Sequence, residues 1–279
     1  MEQIVYLNGA YLPLSEAKIS VLDRGFLFGD GVYEVIPWYQ GRFLGFDAHI
    51  ERLQASLQAI HLELPYGVEQ WYDLLSPLLD AQSNQYIYLQ ISRGYAPKRD
   101  HVFPASVQPT VFAMSNLIPP FLEREQGIKA VTLEDNRWAL CNIKSTSLLA
   151  NVLLKQQAAE QNAAEAILIR EGYVTEGSAS NVFAVVDGLL MTAPKSSHIL
   201  AGITREIVLQ LAHAHQIPVS ETAISVSQLA QATEVWVTSS TREIVPIIEI
   251  NGQKVADGKA GSVWQILNGL YQSYKLSAS

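Results

Sequence analysis

The chain contains the segment Cys141-Asn142-Ile143-Lys144-Ser145-Thr146, directly ahead of a long helix-forming stretch, and later the segment Val174-Thr175-Glu176-Gly177-Ser178-Ala179-Ser180-Asn181-Val182-Phe183. The first segment places Lys144 at a predicted helix entrance. There, the positive end of the helix dipole and partial burial would favour the neutral, nucleophilic amine. The second segment places Glu176 between two predicted hairpins. Together they offer an amine that can form a Schiff base and a carboxylate that can hold a ring nitrogen protonated.

A Schiff-base lysine and such a carboxylate are what a pyridoxal phosphate enzyme requires. With the sequence E-G-S-A-S-N-V-F starting at Glu176, the chain resembles the fold type IV pyridoxal phosphate enzymes, the family of D-amino acid and branched-chain aminotransferases. The resemblance covers nearly the whole chain. It implies that Lys144 forms the Schiff base with pyridoxal 5'-phosphate and moves the substrate Cα proton. It also implies that Glu176 pairs with the pyridinium nitrogen.

Three segments are predicted to hold the cofactor phosphate. Gly202-Ile203-Thr204 opens a helix, so its backbone amides form an anion site to which the Thr204 hydroxyl adds a donor. Ser239 and Ser240 follow a predicted strand, and Arg52 would give charge-assisted hydrogen bonds. The order of these segments is similar to that of the family, which also implies that Leu200 lies against the cofactor ring.

The residues from Arg99 to Pro104 read R-D-H-V-F-P and resemble the R-x-H-x-F-P loop of D-amino acid aminotransferases. The resemblance implies that Arg99 and His101 bind the substrate α-carboxylate together with Tyr33. It also implies a homodimer in which this loop reaches the neighbouring subunit's site. A planar guanidinium fixes the orientation of a carboxylate as well as its charge. Asp100, between the two residues, is expected to neutralise Arg99 in part.

The composition limits the classes of protein to consider. With 279 residues, of which 48% are apolar, the chain can bury a large core in one or two domains. Its net charge of -8 argues against nonspecific nucleic-acid binding. Cys141 is the single cysteine and cannot form an internal disulfide. Charged residues make up 16%, below the roughly 25% of ordinary soluble domains, which favours surface hidden in an oligomer.

Membrane and metal sites are not predicted. No apolar run approaches the ~20 residues needed to cross a bilayer, and the acidic, polar first residues do not resemble a signal peptide. His213 and His215 are two apart on a predicted helix and face different sides, so they make a poor metal pair. We therefore expect a cytoplasmic protein. The resemblance to the aminotransferase family implies that its partners are small amino acids and 2-oxo acids.

The order of predicted elements indicates a two-domain α+β protein. Residues 1–117 form a small α/β domain that contains the substrate-binding loop. Residues 118–122 form a linker, where Pro119 and Pro120 break helix and strand. Residues 123–279 form the large domain that would bind the cofactor.

Two helices and two hairpins are predicted from local sequence. Asp47 is predicted as the N-cap of a helix with Ile50, Leu53 and Leu57 on one face. A second helix is predicted over about 145–162. Hairpins are predicted to turn at Glu171-Gly172 and at Asp187-Gly188, because these residue pairs tolerate the positive φ angles of a tight turn.

The predicted reaction converts D-alanine and 2-oxoglutarate to pyruvate and D-glutamate. Three alternatives stay open: a branched-chain L-amino acid aminotransferase, an aminodeoxychorismate lyase of the same fold, and a phosphate-binding relative without catalysis. The loop with Arg99 and His101 distinguishes the first interpretation from the other enzymes. The presence of both Lys144 and Glu176 distinguishes all the enzymes from a mere binder.

Overall fold

The computed structural model describes residues 2–121 and 123–277 and divides them into two compact units. The first unit consists of the residues up to Pro119 together with Ile143–Ser147, and the second of Pro120–Asn142 and the residues from Leu148 onwards. Helices and strands occur in both units, which confirms the α+β class. The segment with Lys144 was predicted in the second domain, but the structure groups it with the first unit. The predicted linker at 118–122 includes Leu122, which lies outside the described residues.

An antiparallel sheet of six strands, within the described residues, forms the first unit. The strand order is β2-β1-β6-β5-β3-β4. The strands and helices of this unit are β1 (Ile4–Leu7), β2 (Ala10–Pro13), α1 (Arg24–Phe28), β3 (Gly31–Tyr39), β4 (Arg42–Phe43), α2 (Phe46–Ala59), α3 (Val68–Leu75), β5 (Gln85–Ser92) and β6 (Thr110–Leu117).

Strand β5 shows why this sheet forms. Its sequence Q-Y-I-Y-L-Q-I-S alternates apolar residues with larger polar or aromatic ones, and successive side chains of a strand point to opposite faces. Ile87, Leu89 and Ile91 are fully buried, whereas Tyr88 and Gln90 are half-buried on the other face. The buried face packs in one core with the apolar side of α2.

Helix α2 begins earlier than predicted. Gly45 precedes it with φ 65, and the helix starts at Phe46, so the prediction of Asp47 as N-cap is wrong. Glycine adopts this left-handed conformation at little cost, which lets the chain turn directly into the helix. Asp47 lies in the first turn, where a negative charge suits the helix dipole.

The second unit is built on a mixed sheet of nine strands within the described residues. The strand order is β12-β11-β10-β13-β14-β7-β8-β9, with β15 paired to β14. The elements are α4 (Glu123–Gln126), β7 (Ile128–Glu134), α5 (Leu149–Glu160), β8 (Glu165–Arg170), β9 (Tyr173–Gly177), β10 (Asn181–Val186), β11 (Leu189–Thr192), α6 (Ile203–Ala214), β12 (Val219–Glu221), α7 (Val226–Gln231), β13 (Glu234–Ser239), β14 (Glu243–Ile250), β15 (Gln253–Lys254) and α8 (Ser262–Ser277).

The two predicted hairpins of this unit are confirmed. Glu171 (φ 52) and Gly172 (φ 83) join β8 to β9, and Asp187 (φ 49) and Gly188 (φ 77) join β10 to β11. Two consecutive positive φ angles match the right-handed twist of the flanking strands.

No helix in the described part of the chain is long and apolar enough to cross a membrane.

Helix α5 is shorter than predicted. The predicted start at Ser145 is wrong, because the helix begins at Leu149. The preceding backbone is already engaged: Ser145 forms an isolated antiparallel bridge with Val32, and the Thr146 N–H donates to the Gly31 carbonyl at 3.0 Å. A backbone committed to strand pairing cannot at the same time be helical.

Candidate active site

Lys144 is fixed against β3 and α2 in the first unit. Its carbonyl accepts the Tyr33 N–H at 3.0 Å, and its own N–H donates to the Ser56 hydroxyl at 3.3 Å. Its Nζ lies 4.1 Å from the centre of the Tyr33 ring, close enough for a cation–π contact. The structure therefore brings together Lys144 and Tyr33, two residues predicted for the site.

The prediction that Lys144 lies at a helix entrance is wrong. Helix α5 begins at Leu149, five residues after Lys144. The dipole effect falls off within the first turn of a helix, so it gives no reason for an activated amine at this position. The half-buried setting beside Tyr33 is the feature that the structure provides instead.

Arg52 is oriented by a buried carboxylate. His49, Arg52 and Ser56 share one face of α2, as the spacings of three and four residues require. The Arg52 Nε and Nη2 atoms donate to the two carboxylate oxygens of Glu34, both at 2.7 Å, and His49 Nδ1 lies 2.8 Å from Glu34 Oε2. Burial alone would raise the pKa of Glu34, but Arg52 and His49 hold that pKa well below its usual range. Glu34 therefore stays ionised. Its role in orienting Arg52 was not predicted from the sequence.

Glu176 is a buried carboxyl at the end of β9 in the second unit. Its Oε1 accepts from Arg137 Nη1 at 2.5 Å, and its Oε2 accepts the Leu200 N–H at 2.9 Å and Asn181 Nδ2 at 3.2 Å. Burial raises the pKa of Glu176 to about 7 although Arg137 opposes the shift. A carboxyl with this pKa can hold or release a proton near neutral pH.

Arg137 is itself held in place, and sequence reasoning did not identify it. Its Nε and Nη2 donate to the two oxygens of Asp135, both at 2.9 Å. Asp135 also accepts from the Thr175 hydroxyl at 2.8 Å and lies 3.3 Å from Arg170 Nη2. The only local signal was an Asp-x-Arg triplet directly after strand β7. This network fixes the cation that faces Glu176.

Asn181 links two predicted site residues of the second unit, Leu200 and Glu176. Its Nδ2 donates to the Leu200 carbonyl at 2.8 Å as well as to Glu176. Asn181 lies opposite Thr238 in the β10–β13 ladder. An added Cβ on Gly202 would lie 2.1 Å from the Asn181 Oδ1, so the close approach requires glycine there. The second unit thus brings the predicted residue Leu200 to Glu176.

The predicted phosphate ligands of the second unit are suited to an anion. Gly202 precedes α6 without a side-chain cap, so the first N–H groups of the helix are available to a ligand. Thr204 is buried in the first turn, and α6 packs against β13. Among the described residues, the buried Thr238 hydroxyl has no hydrogen-bond partner, and the half-buried Ser239 and Ser240 follow it directly. An unpartnered buried hydroxyl beside a helix N-terminus fits a bound phosphate.

The predicted carboxylate-binding residues lie on an exposed loop of the first unit. The Arg99 guanidinium stacks on the ring of Phe28 at 4.8 Å, and the His101 ring lies 5.3 Å from the same ring. Asp100 accepts the Val102 N–H at 3.1 Å. Its carboxylate forms no ion pair with Arg99 in the described ranges, and the partial neutralisation of Arg99 stays a prediction.

The described residues contain no cluster of three or more histidine, cysteine, aspartate or glutamate side chains that could hold a metal ion.

Known proteins match this chain both in sequence and in fold. Residues 31–250 match the family model of class IV amino-transferases. The D-alanine aminotransferase of Staphylococcus haemolyticus is 42% identical over 279 residues, 99% of each chain. The solved branched-chain amino acid aminotransferase of Escherichia coli is 25% identical with a TM-score of 0.91, and the match covers 98% of this chain and 94% of that chain. The branched-chain enzyme of Thermoproteus uzoniensis, solved with norvaline, is 28% identical over the same shares, with a TM-score of 0.87.

Proposed function

The chain belongs to the class IV aminotransferases, and we propose that it converts D-alanine and 2-oxoglutarate to pyruvate and D-glutamate. The observation that carries this proposal is the 42% identity to a D-alanine aminotransferase over 99% of both chains. Identity to the branched-chain enzymes of the same fold is 25% and 28%. The R-x-H-x-F-P loop supports the same choice of substrate.

The enzyme depends on pyridoxal 5'-phosphate, which, when bound, supplies an electron sink for the substrate Cα. Lys144 would tether the cofactor, and Glu176 would hold a proton toward its ring nitrogen. The residues that would hold the phosphate are Arg52, Ile203, Thr204, Ser239 and Ser240. Leu200, whose N–H and carbonyl fix Glu176 and Asn181, would lie against the ring.

Proton transfer at the substrate Cα is assigned to the Lys144 amine. General acid–base assistance by a positioned group contributes about 10²–10⁴-fold to a rate. The contact with Tyr33 and the two backbone hydrogen bonds of Lys144 limit where the amine can reach. Glu176 would face the ring nitrogen, and its pKa of about 7 lets the carboxyl hold or release a proton near neutral pH.

The substrate α-carboxylate is assigned to Arg99, His101 and Tyr33. A guanidinium and an imidazole on one loop can grip a carboxylate in a fixed orientation. We propose that the loop of one subunit serves the site of its partner in a homodimer.

Exposed apolar side chains support self-association. Val102 and Phe103, beside the carboxylate-binding residues, are 74% and 47% exposed. Leu149, Val152 and Leu153 form an exposed apolar stripe on α5, at 73%, 58% and 57%. Large apolar side chains grouped on a surface mark contact sites. The cytoplasmic location expected from the sequence stays a prediction.

The test is chiral analysis of products from a panel of D- and L-amino acids, each supplied with a 2-oxo acid acceptor. D-Alanine with 2-oxoglutarate should give pyruvate and D-glutamate. A preference for L-leucine or L-valine would overturn the proposal in favour of a branched-chain aminotransferase. Elimination of pyruvate from aminodeoxychorismate would indicate the lyase.

A further inference from the structure

The loop that carries Arg99 and His101 has no regular secondary structure, and residues 98–102 are exposed. Holding a residue of such a loop in one conformation costs backbone entropy. A loop that must present two side chains to one carboxylate therefore needs contacts that restrain its backbone. The structure provides these contacts from beneath the loop.

Arg24, the first residue of α1, is buried and binds the loop backbone. Its Nη1 donates to the Asp100 carbonyl at 2.5 Å and to the Val102 carbonyl at 3.5 Å, and its Nη2 donates to the His101 carbonyl at 3.3 Å. One guanidinium thus restrains three consecutive peptide groups. These peptides include His101 and the residue that follows Arg99.

Asp30 ties Arg24 to a second buried arginine. Its carboxylate accepts from Arg24 Nε at 2.8 Å and from Arg93 Nε and Nη2 at 2.8 and 3.0 Å. Burial would raise the pKa of Asp30, but the hydrogen bonds from Arg93 and Arg24 outweigh it and lower that pKa. The Arg93 guanidinium in turn lies 3.6 Å from the ring centre of Phe103, at the far side of the loop. A buried charged cluster therefore fixes both the backbone and an apolar side chain of the loop.

Helix α1 also supports the two side chains directly. Phe28 is four residues after Arg24 and lies on the same face of α1, against Arg99 and His101. The helix is itself anchored through its N-cap Asp23, which accepts hydrogen bonds from Gly25, from Ser92 at 2.7 Å and from Thr110 at 2.6 Å. The short helix is thus a rigid platform under the loop.

We propose that Arg24 and Phe28 are positioning residues that set the conformation of the carboxylate-binding loop and, through it, the KM for both amino acid and 2-oxo acid substrates. This inference rests on the proposed function, because it acts through Arg99 and His101. Neither residue needs to contact the substrate. Their effect would appear in substrate affinity rather than in the chemical step or in cofactor binding.

The test is steady-state kinetics of four holoenzymes: the wild type, Arg24→Lys, Arg99→Ala and the double variant. Lysine keeps a positive charge beside Asp30, but one ammonium cannot reach Asp30 and three carbonyl oxygens together. Arg24→Lys should raise KM for D-alanine and 2-oxoglutarate by roughly tenfold to a hundredfold, since a small misplacement of binding groups costs up to about 100-fold. The kcat and the affinity of the apoprotein for pyridoxal phosphate, followed by fluorescence, should change far less.

The Arg99→Ala background separates positioning from general damage. If Arg24 acts through Arg99, adding Arg24→Lys to Arg99→Ala should change KM much less than it does in the wild type. Arg124→Lys is a matched control, because Arg124 pairs with the buried Glu243 at 3.2 Å in the second unit and should leave KM unchanged. If Arg24→Lys does not fold, Phe28→Leu replaces it, since that change removes the supporting ring without touching a buried charge.

An unchanged KM in Arg24→Lys, or in Phe28→Leu where that variant is used instead, overturns this inference and leaves the proposed function intact. Equal increases of KM in the wild-type and Arg99→Ala backgrounds overturn it as well. A wild-type enzyme that does not use D-alanine overturns both.

Discussion

Two opposing effects set the pKa of Glu176 near neutral pH. Burial raises the pKa of the carboxyl to about 7, whereas Arg137, 2.5 Å away, and the Leu200 N–H favour its charged form. The same carboxyl can therefore act as a charge partner or as a proton holder. Asp135 fixes Arg137 from the other side, so the balance does not depend on a mobile cation.

The raised pKa of Glu176 predicts how the stability of the apoprotein depends on pH. The folded carboxyl, with a pKa of about 7 where an ordinary glutamate has 4.5, binds its proton more tightly than the unfolded one. Its contribution is therefore fully present below the unfolded pKa and is lost as pH rises through the folded pKa. Each pH unit between the two pKa values changes the free energy of unfolding by about 1.4 kcal/mol. Urea unfolding from about pH 4 to 8 should show wild-type stability falling relative to Glu176→Gln. Parallel curves for the two proteins would contradict the raised pKa.

Lys144 is expected to be the residue that carries the cofactor covalently. Borohydride treatment of the holoenzyme followed by peptide mapping should place the label on Lys144. Lys144→Ala should lose the label. Its turnover rate should fall by more than the ~10²–10⁴-fold that acid–base assistance alone contributes, because the tether and the proton carrier disappear together. Lys195→Ala, which removes a surface lysine paired with Glu206 at 2.7 Å, should keep both label and activity. A label on any other lysine refutes the assignment.

At the scale of elements, the N-terminus of α6 depends on a glycine. A Cβ at position 202 would come within 2.1 Å of the Asn181 Oδ1 and would displace either Asn181 or the start of α6. Gly202→Ala should therefore weaken binding of pyridoxal phosphate to the apoprotein by about 10–150-fold, the loss of one charge-assisted hydrogen bond of about 1.5–3 kcal/mol. Gly269→Ala in α8, where a Cβ would meet nothing within 4 Å, is the matched control and should bind normally. Equal affinities for the two variants would show that the α6 terminus does not hold the phosphate.

Local sequence patterns predicted the elements whose conformation depends on a few neighbouring residues. The alternation of β5 and the paired positive φ angles at Glu171-Gly172 are encoded within a few residues, and the structure has both. The start of α5 could not be predicted from its own residues. Ser145, in the first predicted turn of the helix, instead forms a β-bridge with Val32, which lies more than a hundred residues earlier in the chain. The N-terminus of α2 was misplaced because Gly45 supplies the turn that an N-cap side chain would otherwise mark.

The same distinction applies to the candidate site. Lys144 and Glu176 stood out because each lies in a continuous motif. The residues that tune them did not, since the Arg137–Glu176 pair joins positions 39 apart and the Arg52–Glu34 pair joins positions 18 apart. Such pairs form only when separate elements of the fold come together: β3 and helix α2 for Glu34 and Arg52, and strand β9 and the residues after β7 for Glu176 and Arg137. A single sequence does not state which elements those are. The roles of the named site residues stay predictions until they are tested by substitution.

At the scale of the whole molecule, the low share of charged residues and the exposed apolar stripe on α5 favour a homodimer. If the loop of one subunit serves the site of the other, Lys144→Ala and Arg99→Ala subunits should complement each other. A hybrid dimer then has one intact site, so a random mixture after unfolding and refolding should regain about a quarter of wild-type activity. Each variant refolded alone is the control and should regain none beyond its own residual activity. No gain on mixing would mean that the loop acts within its own subunit.

The most direct test of the preference for D-amino acids is the first half-reaction, in which the amino acid reacts with the bound cofactor without any 2-oxo acid. The holoenzyme is mixed with D-alanine, L-alanine or L-leucine, and the visible absorbance of the bound cofactor is followed while the product is collected. We expect D-alanine to remove the absorbance and to release one pyruvate per site, and the two L-amino acids to leave it unchanged. Loss of absorbance with L-leucine but not with D-alanine would contradict the assignment to D-amino acids.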